Sequence, residues 1–184
     1  MKHLFWIFFF CFATHISSGQ NEKITQELQK FSELKAFDGI SVNLIRSSMN
    51  KAVITGANTK KVAIVNNEGV LKIRMEVDKI FSGYRTFIDI YYTENLLVID
   101  VNEDARITSD DTIKQDVLEL KAQEGAQIII KAQVEQLLVK TVTGGVIRAS
   151  GTSDNQDVLI NTGGIYEGKE FKTKFSTVNV NAGS

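Results

Sequence analysis

The chain has 184 residues, 43% hydrophobic and 23% charged, with a formal net charge of −1, the balance of an ordinary globular protein of one domain or slightly more. Both histidines (His3, His15), the single tryptophan (Trp6) and the single cysteine (Cys11) fall in the first fifteen residues, and there is no proline. Downstream of them a Ser/His/Asp triad, a cysteine nucleophile, a disulfide framework and the usual His/Cys zinc sites are excluded, so any chemistry must use carboxylates, amines, hydroxyls or amides.

Met1, Lys2 and His3 make a short basic start, residues 4–16 (LFWIFFFCFATHI) are an almost unbroken apolar run, and Ser17, Ser18 and Gly19 are small. This order reads as a secretory signal peptide over residues 1–19, cut between Gly19 and Gln20. The apolar run is shorter than the roughly 20 residues of a membrane-spanning helix, so no span is expected after cleavage. Phe10 precedes Cys11 where a lipid-attachment site needs a small residue, so no lipid anchor is expected. The protein is therefore expected to be exported, to the periplasm, the outer surface or the medium. Its lysines, among them Lys60, Lys61, Lys72, Lys79, Lys114, Lys121, Lys131 and Lys140, are interleaved with acids; without a basic stripe, nucleic acid is excluded as a partner.

Residues 20–30 read as a lead-in segment, either flexible or a short amphipathic helix that places Ile24, Leu28 and Phe31 on one face. From Phe31 onward the period is two. Ile40, Val42 and Leu44 alternate with Ser41 and Asn43 in a half-buried strand entered through a turn at Asp38-Gly39. Strands follow at 51–55 and 62–65, a turn at Asn66-Asn67-Glu68-Gly69, and further strands at 70–75 and 86–92.

The second half repeats about every twenty residues. Ile99, Leu120, Val139, Leu159 and Val178 form one column, with Asp104, Gly125, Gly144, Gly164 and Gly183 five residues after each. Each unit is an alternating strand, a turn at a small residue and a second short strand. So short a unit cannot bury its apolar face alone; copies must stack in parallel at about 4.8 Å, giving an all-β parallel β-helix, or β-solenoid, over residues 31–184. A sandwich would repeat at about 8–12 residues and would not keep glycine in one column. In this register Val139 is interior and Lys140 is on the surface.

The runs FDGISVNLI, ENLLVIDVNEDARI and LKAQEGAQIIIKA, the paired glycines of VTGGVIRASG and NTGGIYEGK, and the final VNVNAG resemble the auto-transporter adhesin head domain family (head GIN domain), secreted or periplasmic proteins found mostly in Bacteroidetes-type bacteria. The resemblance covers about residues 31 to 184 and implies a right-handed, all-β, helix-like stack, fold carrying over better than activity; no cofactor is expected. Members of that family continue for another coil or two with a late proline. The strand from Thr177 to Asn181 is therefore expected to be an uncapped edge able to pair with another chain, a second copy included.

Two sets of residues are candidates for function. Glu103 and Glu124 stand one rung apart in the column before the glycines, and two carboxyls about 5 Å apart could serve as nucleophile and acid of a retaining glycosidase or share a calcium ion. That column continues through Thr143 and Gly163, which add no third ligand, so no metal site is assigned and the pair is only a weak catalytic candidate. Asp100, Lys121 and Lys140 share another column, a base beside a carboxylate as in polysaccharide lyases, or simply opposite charges stacked on a sheet. Asp110-Asp111, Asp154 and Asp157 read as loop residues, the segment GTSDNQD being turn-forming in composition. The second set, Phe81, Tyr84 and Arg85 in FSGYR with Phe87 after it, joins exposed aromatic rings to a guanidinium, an arrangement suited to sugars or proteins. Asn102, Gln123, Thr162 and Asn181 supply repeated polar positions. The expected function is that of a non-enzymatic exported binding protein, an adhesin for a glycan or a surface or matrix protein. The alternative is a carbohydrate-active enzyme built on the same solenoid.

Overall fold

The computed structural model describes residues 23–181; the leader, the cleavage point and Gly183 of the glycine column lie outside the described residues. Among the described residues one sheet contains β1 (Ile24–Glu27), β2 (Glu33–Ala36), β3 (Ser41–Arg46), β4 (Lys51–Gly56), β5 (Val62–Asn67), β6 (Val70–Met75), β7 (Thr86–Tyr92), β8 (Val98–Val101), β9 (Arg106–Gln123), β10 (Gln127–Val142), β11 (Val146–Ile160) and β12 (Ile165–Val180). The sheet coils into a β-solenoid of about 4 turns with coils of about 20 residues. Each rung is a strand segment, a tight turn and a second segment. Residues alternate between the core and the surface, as in β6, where Leu71, Ile73 and Met75 are buried and Lys72 and Arg74 exposed.

The rungs are not stacked in chain order. β2 and β3 form the first rung, yet β2 lies between β6 and β8, and β3 between β7 and β9, all in parallel. The chain lays this rung down, builds β6 and β7 on one side of it, then crosses it through residues 93–97 to build β8 and β9 on the other. The crossing is pinned by Leu97 N–H donating to Ser32 O (2.7 Å) and Arg46 Nη1 to Glu94 O (2.7 Å). Arg46 lies over the Tyr92 ring, and Lys30 pairs with Glu94 at 2.8 Å.

Residues 24–27 are not helical. They form β1, antiparallel to β4, which is antiparallel to β7; β5 is likewise antiparallel to β6. Ile24 and Leu28 pack on the core. The open edge of β4 supplies hydrogen-bond partners along the whole segment, and one turn of isolated helix cannot match that.

From β8 onward the expected stacking holds, with one register correction. Ile99 pairs with Leu120, Leu120 with Val139, Val139 with Val158 and Val158 with Val178. Leu159 instead stacks on Lys140. The rung from Val139 has one residue fewer than assumed, so Gly163 rather than Gly164 continues the glycine column, and Asn161 rather than Thr162 continues the polar column. Adjacent apolar residues at Val158-Leu159 and paired glycines at 163–164 make the two registers look alike in sequence. Val139 is buried and Lys140 exposed, as the alternation required. The segment GTSDNQD is strand, not loop: it lies inside β11, paired with β10 and β12, and Asp110 and Asp111 lie inside β9. Ladder bonds on both sides override turn propensity in GTSDNQD, whereas Asp110 and Asp111 fall where β9 slips in register against β10.

Candidate functional site

The turns of successive rungs stack along one edge of the solenoid. They are Asp38-Gly39, Glu103-Asp104, Glu124-Gly125, Thr143-Gly144 and Thr162-Gly163, and both residues of each have positive φ, from 36° at Thr162 to 75° at Gly125. Each is closed by an i to i+3 bond, such as Ala126 N–H to Gln123 O at 3.1 Å, the geometry of a type I′ turn. Backbone bonds tie turn to turn: Gly39 N–H to Glu103 O (2.8 Å), Asp104 N–H to Glu124 O (3.0 Å) and Gly125 N–H to Thr143 O (3.2 Å).

Glu103 and Glu124 are therefore on adjacent rungs, as their spacing implied, but the acidic column begins one rung earlier at Asp38. That carboxylate is buried and fully engaged, Oδ2 accepting from Met75 N–H (2.9 Å) and Oδ1 from Phe81 N–H (3.3 Å). Burial pushes the Glu103 carboxyl above the usual carboxylate range, and the Asp38 and Glu124 charges push it the same way. Asp38 thus anchors the segment that carries the aromatic candidates onto the acidic edge.

Phe81, Tyr84 and Arg85 lie in that segment, between β6 and β7, and all three are exposed. Gly83 N–H donates to Asp38 O at 3.0 Å. The Tyr84 ring covers Gly39, where a Cβ would lie 3.0 Å from it, and its hydroxyl donates to Asp104 Oδ2 at 2.9 Å. That hydrogen bond raises the Tyr84 pKa. Glycine at 39 is required twice over, by its φ of 74° and by the ring above it. The two candidate sets, separate in sequence, thus share one edge, linked by Tyr84 to Asp104 and by Asp38 to the backbone of Phe81 and Gly83. The Arg85 carbonyl accepts from Ala57 N–H (2.8 Å).

Just past this edge, parallel register sets Phe87, Ser41 and Arg106 side by side on β7, β3 and β9. Small Ser41 between two long neighbours leaves a groove of about 320 Å³ lined also by Asn43 and Thr108. Phe87 is half exposed and braced from behind by Gly56, where a Cβ would fall 3.0 Å from the ring.

The lyase-type column is in register, Asp100 beside Lys121 and Lys121 beside Lys140. Asp100 is already committed, to Lys35 (3.3 Å) on the interleaved rung and to Asn102 Nδ2 (3.0 Å), while Lys121 pairs with Glu119 (3.0 Å). Asp154 takes Lys174 (2.8 Å) and Asp157 takes Gln136 Nε2 (2.8 Å). The Asp100–Lys35, Asp154–Lys174 and Asp157–Gln136 contacts tie neighbouring rungs together, and Lys121–Glu119 lies along one strand. The polar column runs Asn102 to Gln123 and Asn161 to Asn181 through amide hydrogen bonds, with Val142 between the two pairs. Among the described residues no cluster of three or more His, Cys, Asp or Glu is placed to hold a metal.

The fold is thus a β-solenoid whose stacked turns form an acidic edge topped by aromatic side chains. The chain belongs to the family described as "Putative auto-transporter adhesin, head GIN domain", whose model matches residues 30–184. Among solved structures, a putative adhesin from Bacteroides fragilis superposes with a TM-score of 0.65 at 12% identity, covering 89% of this chain and 98% of that one. A putative adhesin from Parabacteroides distasonis gives 0.67 at 14% identity, covering 89% and 79%. A protein from the same species described as a putative lipid binding protein gives 0.64 at 12% identity, with the same coverage. At these identities the likeness is one of fold. Comparison with curated proteins finds no match.

Asp38 and the groove are what sequence reasoning missed. Asp38-Gly39 has the same dipeptide form as Glu124-Gly125, and that signal could have placed it in the column. The groove had no such signal, because its walls come from strands that meet only through the out-of-order rung.

Proposed function

We propose that this is an exported, non-enzymatic adhesin that holds a glycan or a surface or matrix protein along the side of the solenoid. In this reading residues 1–19 are a cleaved leader, residues 20–30 lead in, and the solenoid domain acts in the periplasm or on the outer surface. The observation that carries it is the exposure of three aromatic rings, Phe81 (57%), Tyr84 (57%) and Phe87 (51%), beside the acidic turn edge; large exposed rings rimmed by polar groups favour a partner. The family's description as an adhesin head supports the same reading. Glu124 is exposed on an outer turn, a position with nothing to exclude water as catalysis requires. The edge of β12 offers a second mode, strand pairing with another copy of the chain.

The test is a screen of the purified protein against glycans and matrix proteins, run beside reducing-end and unsaturated-uronide assays with and without calcium. Binding without turnover, weakened at least fivefold by Tyr84→Ala or Arg85→Ala, is the expected result. Turnover abolished by Glu103→Gln or Glu124→Gln would replace this reading with that of a glycosidase.

A further inference from the structure

Resting on that reading, the groove between Phe87 and Arg106 narrows the ligand. Phe87 and Arg106 stand two strands apart, about 10 Å between backbones, with Ser41 as the floor between them. Their facing sides present an apolar ring on one wall and a guanidinium on the other. In the next row Asn43 spans the floor, its Nδ2 3.5 Å from Asp89 Oδ1 and its Oδ1 3.5 Å from Thr108 Oγ1. Hydroxyl and amide groups thus line the base.

The charge of Arg106 is unanswered. On its own strand face the neighbours are Ser41 on one side and Gln127 on the other, both neutral, and Arg106 makes no ion pair among the described residues. Arg148, one column over, shows what an arginine on this surface does when an acid is in register: it grips Glu167 with two bonds, 2.8 and 2.9 Å. The nearest acid in sequence, Asp104, is occupied elsewhere. Its Oδ2 takes the Tyr84 hydroxyl, and its Oδ1 lies over Gly125, 2.1 Å from where a Cβ would be. An exposed guanidinium with a free planar fork matches a carboxylate bidentately, and an aromatic wall covers the C–H face of a ring.

We infer that this groove is a subsite for one carboxylated sugar ring, a hexuronate unit of an acidic polysaccharide. The ring stacks on Phe87, its carboxylate meets Arg106, and its hydroxyls reach Ser41, Asn43 and Thr108. Repetition along the polymer lets weak single-site binding sum over many copies on a surface.

Calorimetric titration of the purified protein with oligogalacturonate tests this, with a neutral dextran oligomer and a sulfated dextran oligomer as comparison ligands. The expected result is binding of oligogalacturonate at least tenfold tighter than either comparison ligand. Arg106→Gln and Phe87→Ala should each weaken it at least tenfold, and Arg106→Lys less. Arg148→Gln, which removes an arginine already paired, should change it less than twofold. Both groove substitutions are at exposed positions, and unchanged circular dichroism and melting confirm the fold. Equal binding of neutral dextran, equal binding of sulfated dextran, or wild-type affinity in Arg106→Gln would each overturn the assignment. Binding of a neutral glycan or a matrix protein without oligogalacturonate would overturn the subsite and leave the adhesin reading standing; binding of nothing would remove both.

Discussion

At one end of the stack Leu71 and Ile73 are fully buried, and at the other Val178 and Val180, which continue the same two interior columns, are 55% and 61% exposed. The first end is closed by strands that reverse direction: β5 runs antiparallel to β6, β4 to β7, and β1 to β4. Their side chains Ile24, Val62 and Ile64 pack over the core. At the β12 end the described residues add Tyr166 and Phe171, both only partly buried against the core, and polar stitching across the interior. Tyr166 receives Gln156 Nε2 at 2.6 Å, Ser176 donates to Gln156 Oε1 at 3.3 Å, and Ser153 donates to Thr173 at 3.1 Å. The contrast teaches that identical column membership does not confer identical burial. A terminal parallel rung buries its core columns only when something covers its far side, and reversing the chain is how this fold covers one of them.

The sharpest way to break the comparison is to place one charge in one column at two heights. Val139→Lys should cost on the order of 4 kcal/mol in urea denaturation, because it buries an unpaired ammonium. Val178→Lys, in the same column, should cost less than about 1 kcal/mol. Lys140→Val, one residue along, should be neutral within about 0.5 kcal/mol. Similar losses at 139 and 178 would mean that the β12 end is covered.

Glycines give the next largest difference. Gly151 has a φ of 122°, and a Cβ there would lie 1.9 Å from Ala132 O on the neighbouring rung; Gly163, at φ 71°, has nothing closer than 3.8 Å. Gly151→Ala should therefore cost about 2–4 kcal/mol, from overpacking plus backbone strain, and Gly163→Ala about 1–2 kcal/mol, from strain alone.

Tyrosine ionisation reads the two regions by pH. Burial pushes the Tyr166 hydroxyl up to about 12. A folded-state value above the unfolded one means that the neutral side chain's contribution to stability is complete below the ordinary tyrosine value near 10. It is then lost as pH rises from about 10 toward 12. Absorbance titration should show this late step and its disappearance in Tyr166→Phe. A small effect is expected at the surface pair: Arg148→Gln should lower the melting temperature only slightly, and less at high salt, because solvent screens Arg148 and Glu167.

The solenoid was legible where chain order and stacking order agree. Ile99, Leu120 and Val139 could be aligned by spacing alone, and Asp38-Gly39, Glu124-Gly125 and Thr143-Gly144 carry the turn chemistry openly. It was illegible where contact depends on a crossing. Nothing local in residues 93–97 says that they pass over the rung of β2 and β3, so Ser41 between Phe87 and Arg106 could not be seen, and Asp38 had only its turn dipeptide, not its place beside Glu103, to show. β1 was misread for a related reason: the apolar spacing of Ile24, Leu28 and Phe31 suits a helix, and only the edge of β4, brought there by tertiary structure, decides for a strand. Glu103 and Glu124 were placed together correctly, and the aromatic segment was recognised as exposed, but the anchoring of one to the other through Asp38 and Tyr84 required the fold.

The most direct test of one covered end and one open end is native-state hydrogen exchange resolved to single amides. Amides of β2, β6 and β8 at the core columns should exchange only by global unfolding, whereas those of β12 that face away from β11 should exchange within seconds at low protein concentration. Protection of those outward β12 amides equal to that of β2, undiminished on dilution, would contradict the account.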